Sequence, residues 1–113
     1  MNITEQLEKL KEISLKNKEY VSKISEEINA IEEALNNLCI LNDITLEIGE
    51  YILSYERSTS RRYRLCCEVK SSLEKRTLIE LPVSIRIEAY KLLPLLLEEI
   101  YNNQISIKNI YKD

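Results

Sequence analysis

Between Ile3 and Leu38 the apolar residues recur in alternating steps of four and three. They fall at Ile3, Leu7, Leu10, Val21, Ile24, Ile28, Ile31, Leu35 and Leu38, with Ser14 and Asn17 in the two positions left open. This is a heptad pattern with Leu7, Ser14, Val21, Ile28 and Leu35 at a, and Ile3, Leu10, Asn17, Ile24, Ile31 and Leu38 at d. No Pro or Gly interrupts it, so the spacing predicts a coiled-coil-like helix over residues 1–41. The Ile3 to Leu38 stretch alone would be roughly 54 Å long at about 1.5 Å per residue. Thr4 is the expected N-cap, and Glu5 and Glu8 suit the positive end of the helix. Ile13, Tyr20 and Ala34 at g widen the stripe, which fits a bundle or a multi-stranded coil better than a narrow two-helix seam.

Such a rod is longer than the compact body of a chain this size, so part of the seam needs a partner. From Val21 to Leu38 every a and d position is apolar, and the C-terminal segment is expected to cover that half. Ile3, Leu7, Leu10, Ile13, Ser14 and Asn17 then remain for self-association, with a homodimer as the expected oligomer. Ser14 and Asn17 admit two readings. They form a register-setting polar layer between copies, or they mark where the helix leaves the body and faces water.

After the turn pair Asn42-Asp43 the period changes to alternation. Ile44, Leu46 and Ile48 share one side, the phase shifts at Gly49, and Tyr51, Leu53 and Tyr55 continue it. A bulge or bend is expected at that glycine. Residues 56–61 (ERSTSR) read as a hairpin loop, residues 62–69 as the return strand, and residues 76–81 (RTLIEL) as a third strand. Pro82 fits the first turn of a helix. Pro94 predicts a kink between segments 83–93 and 94–103, and residues 104–113 read equally as frayed helix or short strand. The expected fold is a single α+β domain: a long helix (1–41), an antiparallel two- or three-stranded sheet (44–81), a kinked helix (82–103) and a tail (104–113). Both helices lie on one sheet face, over Tyr51, Leu53, Tyr63 and Leu65.

Composition narrows function mainly by exclusion. The 113 residues are 44% hydrophobic and 31% charged, with one Gly, two Pro and no His. The commonest general base and metal ligand is therefore missing, and no phosphate loop or nucleophile elbow occurs. Cys39, Cys66 and Cys67 lack a His to complete a metal site, and adjacent strand cysteines point to opposite faces. They read as core thiols. The doublets Glu26/Glu27, Glu32/Glu33 and Glu98/Glu99 read as solvated helix faces. A non-enzymatic protein without cofactor or metal is expected. An odd cysteine count, no signal-like start and no membrane-length apolar run point to the cytoplasm.

The net charge of −3 is unevenly spread. Residues 1–55 carry five Lys against eleven acids (net −6), whereas residues 56–76 carry seven Lys or Arg against three acids (net +4). Within that basic middle, Arg57, Arg61, Arg62 and Arg64 surround one loop, with Tyr55 and Tyr63 beside it. This cluster reads as a contact for an acidic protein surface, as a nucleic-acid grip with stacking rings, or as structural pairing with the acidic helix. The order of elements and two short motifs carry a resemblance. Tyr63-Arg64-Leu65 on the return strand is followed by Arg86, Glu88, Ala89, Leu93, Pro94, Leu96 and Leu97, an R-x-E-A-x-x-x-L-P-x-L-L helix. Residues 44–100 thereby resemble small helix–hairpin–helix proteins of viruses and mobile elements, a class that includes inhibitors of host defence. The resemblance adds only that class of function; the expected action is binding a macromolecular partner, by occlusion or scaffolding, with the helix as assembly surface and the charged hairpin as contact. The alternative is a small nucleic-acid-binding regulator using the Arg hairpin. No membrane partner is expected.

Overall fold

Asn2, not Thr4, caps the first helix: its Oδ1 accepts the Glu5 N–H at 2.8 Å. The structure is a computed structural model that describes residues 2–40, 42–58 and 62–110. Helix α1 spans Ile3–Asn37 and ends in a reversal of the Schellman type. The Ile40 N–H reaches the Leu35 carbonyl and the Cys39 N–H reaches the Asn36 carbonyl. Cys39 occupies the left-handed position at φ 58° that glycine usually fills. This reversal takes Leu38 out of the seam and leaves it exposed.

The sheet has four antiparallel strands in sequential order, β1 (Ile44–Ile48), β2 (Tyr51–Arg57), β3 (Tyr63–Val69) and β4 (Glu74–Thr77). Gly49, expected at a bulge, instead opens a two-residue turn at φ 57° that joins β1 to β2. Ile48 and Tyr51 face each other across that turn. Partners in an antiparallel pair share a face, so a two-residue turn must shift the alternation from even to odd positions. The segment expected as a third strand divides. Glu74–Thr77 pairs with β3, and Leu78–Glu80 winds into a 3-10 turn. Leu78 and Leu81, three residues apart and both buried, meet the core through that tighter period.

Helix α2 runs unbroken from Val83 to Ile110 with Pro94 inside it, in place of two kinked segments and a separate tail. Pro94 lies on the exposed side, while Ala89, Leu93, Leu96 and Ile100 are buried on either side of it in sequence. Packing on both sides of the missing N–H holds the helix through the proline. The core joins these residues to Ile24, Ile28 and Leu35 of α1 and to Ile44, Leu53, Tyr55, Tyr63, Leu65 and Cys67 of the sheet. Of the expected sheet-core residues, Leu53, Tyr63 and Leu65 are buried and Tyr51 is half-buried.

The two helices run in the same direction. Arg86 Nη1 donates to Ser25 Oγ at 3.0 Å, the Tyr90 hydroxyl meets Glu27, and Asn42 Nδ2 donates to Asn103 Oδ1 at 3.2 Å. The start of α2 therefore lies level with Val21, and everything before that point of α1 overhangs. The extents are 73 × 29 × 25 Å and the radius of gyration is 17.9 Å, against about 13 Å for a compact chain of roughly this length. No helix among the described residues is long and apolar enough to cross a membrane.

Cys39 and Leu73 hold positive φ on exposed sites where no packing would be lost. Cys39→Gly and Leu73→Gly should each raise the urea midpoint, by about 0.5–1 kcal/mol of stability, because glycine removes the left-handed strain.

Candidate interaction surfaces

Strand β4 pairs only with Cys66–Val69, so the first half of β3 has an open edge. Helix α1 closes it with side chains. Asn36 donates through Nδ2 to the Tyr63 carbonyl at 2.9 Å and accepts the Tyr63 N–H on Oδ1 at 3.1 Å. One amide thus makes both bonds that a neighbouring strand residue would make. One helical turn earlier, Glu32 Oε2 accepts the Leu65 N–H at 3.5 Å. Burying such an edge without partners would leave each orphaned backbone group costing about 1–3 kcal/mol.

Glu32 is 3% exposed, which corrects its reading as part of a solvated doublet. Arg64 Nε pairs with Glu32 Oε1, and Arg62 Nε lies 3.8 Å from the same oxygen. Across β2, Arg64 is in register with Glu56 on the face away from the helices, yet it reaches Glu32 over the open edge. The spacing held a signal for this. Glu32 lies four residues after Ile28 and three before Leu35, so it sits on the core stripe itself, with Asn36 one turn on.

The structure disperses the predicted arginine–tyrosine cluster. Tyr55 and Tyr63 are buried and stacked on each other, with ring centroids 5.1 Å apart. The Tyr55 hydroxyl donates to the Ile40 carbonyl at 2.8 Å. Neither ring is available to stack on a base. Burial, reinforced by Tyr63 and Glu32, pushes the Tyr55 hydroxyl up to about 12. Arg62 and Arg64 face Glu32, and Arg61 lies outside the described residues. Arg57 is exposed, and its backbone N–H is held by Asp43 Oδ1 at 3.2 Å.

Arg57 instead lines a groove of about 340 Å³ together with Arg64, Lys75, Arg76, Glu56 and Glu80. Lys75 Nζ bonds Glu56 Oε2 at 3.0 Å and Arg76 pairs with Glu74 at 2.9 Å. The groove is basic and partly neutralised. Cys66 lines it, whereas Cys67 points into the core, as opposite parity on one strand requires. Burial and the Glu56 carboxylate push the Cys66 thiol up to about 12, and burial pushes Cys67 up to about 11.

The second surface is the overhang. Ile3, Leu7, Leu10 and Ile13 are each 59–73% exposed, and Leu15 and Tyr20 are at least half exposed. The first three lie on the seam, with Ile13 beside it, and the seam becomes buried further along at Ile24 and Ile28. Ser14, Asn17, Lys18, Val21 and Ser22 line a groove of about 370 Å³ against Val83 of α2. The expected self-association residues are thus brought together, on one free helix face.

Scans against protein-family models, curated proteins and solved structures found no match for this chain.

Two measurements check these arrangements. Glu32→Ala should destabilise the fold by about 2–4 kcal/mol in urea, through the unpaired Arg64 and the orphaned Leu65 N–H, and Glu32→Gln by less. Stability should also fall as pH rises from about 9 towards 12. The unfolded chain ionises Cys66, Cys67 and Tyr55 there, while the fold holds them protonated. Removing these three groups, as Cys66→Ala, Cys67→Ala and Tyr55→Phe, should flatten that decline.

Proposed function

We propose that this chain is a non-enzymatic interaction protein. It self-associates through the overhanging half of α1 and acts by binding and occluding a protein partner in the cytoplasm. The observation that carries the reading is the row of large apolar side chains on a helix that projects beyond its own core. Contiguous apolar surface of this kind on a single chain marks an interaction site rather than a core. The basic groove around Arg57, Arg64, Lys75 and Arg76 supplies a contact for an acidic protein surface.

A nucleic-acid regulator is the second reading, supported by the exposed Arg57 and half-exposed Arg62 near the β2–β3 loop. Protein is favoured over nucleic acid because Tyr55 and Tyr63 are buried and because Glu56, Glu74 and Glu80 interleave with the groove cations. A salt titration against DNA and RNA separates the two, since phosphate binding weakens steeply with salt. Absent or salt-independent affinity removes the nucleic-acid reading.

Sedimentation equilibrium at tens of micromolar should give a mass above one chain. Leu7→Lys with Leu10→Lys should return it to the monomer with little change in thermal midpoint, because both residues lie outside the core. In affinity capture from the source cell, Arg57→Ala/Arg61→Ala/Arg62→Ala should lose salt-sensitive partners; unchanged capture would remove the hairpin from the contact.

A further inference from the structure

We propose that the occupant of the overhanging seam is the same stretch of a second copy, laid antiparallel, so that each helix tip ends in the groove beside the partner's Val83. This rests on the self-association reading and specifies its geometry. The first argument is steric. Past Val21, α2 already sits astride the seam, with Arg86 on one flank bonded to Ser25 and Tyr90 on the other meeting Glu27. It also runs in the same direction as α1. A parallel partner in register would have to continue through the space α2 fills. An antiparallel partner enters tip first, stops at Val83, and carries its own body beyond the opposite end.

The overlap is then self-matching, because the exposed seam and the segment that fills it are one stretch. A register that sets Ile3 opposite the partner's Val21 also sets Leu7 opposite Asn17 and Leu10 opposite the small Ser14. Ile3 of each tip then falls at the groove formed by Asn17, Val21 and Val83. Ile13 meets its symmetry mate on the g flank, which places that exposed side chain against another apolar one.

Charge supports the same orientation. The tip, residues 3–8, carries Glu5 and Glu8 and no base, whereas residues 16–23 carry Lys16, Lys18 and Lys23 against Glu19 alone. Antiparallel packing opposes acidic tip and basic root; parallel packing would set like against like. The like-charge approach that remains is Lys11 to its symmetry mate, with Glu8 one turn away on each chain.

The test uses the full chain with the exposed Cys39 changed to Ser. Spin labels go on single cysteines at Glu5, Glu12 and Glu19, all on the outer side of the helix, alongside sedimentation equilibrium and small-angle scattering. The expected result is a dimer mass with label separation shortest at Glu12. At Glu5 and Glu19 the labels should be offset by roughly 20 Å along the axis. The maximum dimension should reach about 120 Å, against 73 Å for one chain. A dimer with equal separations at all three sites would overturn the antiparallel geometry and leave self-association standing. A trimer or larger assembly would do the same. A monomer would overturn both.

Discussion

The fold depends on how α1 meets the edge of β3 that β4 does not cover. Strand β4 stops short, and without cover the backbone of Tyr63 and Leu65 would be buried with open hydrogen-bonding groups. Asn36 and Glu32, one turn apart, supply those bonds from a helix. The buried carboxylate then requires cations, and Arg64 and Arg62 provide them over the same edge. A sheet edge, a helix face and two arginines are thereby fixed together. Paired and hydrogen-bonded charge of this kind specifies alignment more than it adds net stability.

That alignment sets what is left free. Anchoring α1 by its last turns, and clamping α2 on the seam between Ser25 and Ile28, leaves the first half of α1 exposed, with no cover among the described residues. The apolar stripe does not weaken where the body ends; it only loses its cover. The same repeat is therefore core at one end and an exposed apolar face at the other.

The arginines around the β2–β3 loop divide between structure and surface. Arg64 and Arg62 are drawn to Glu32, which makes the structural pairing weighed from the sequence a real use of that cluster. Arg57 turns instead to a groove shared with Lys75 and Arg76 from β4. The basic surface is thus assembled from three consecutive strands, β2, β3 and β4. Its stacking tyrosines have gone inward, where each ring covers the other.

Local periodicity was enough to establish the long helix, the alternation of β2 and β3, and the apolar rows that would need cover. These follow from side-chain geometry along a single element, which repeats whatever the element packs against. The exposed apolar face was legible for the same reason, since Ile3, Leu7, Leu10 and Ile13 belong to a stripe too long for one body. The spacing set Glu32 and Asn36 on the core stripe, but only the tertiary structure decided what they bond to and that Tyr55 and Tyr63 turn inward. Their roles depend on where β4 ends and which edge α1 covers, facts that no spacing within one helix or strand encodes. The continuity of α2 through Pro94 was likewise decided by packing on both sides of the proline, which outweighs the local cost of one lost bond.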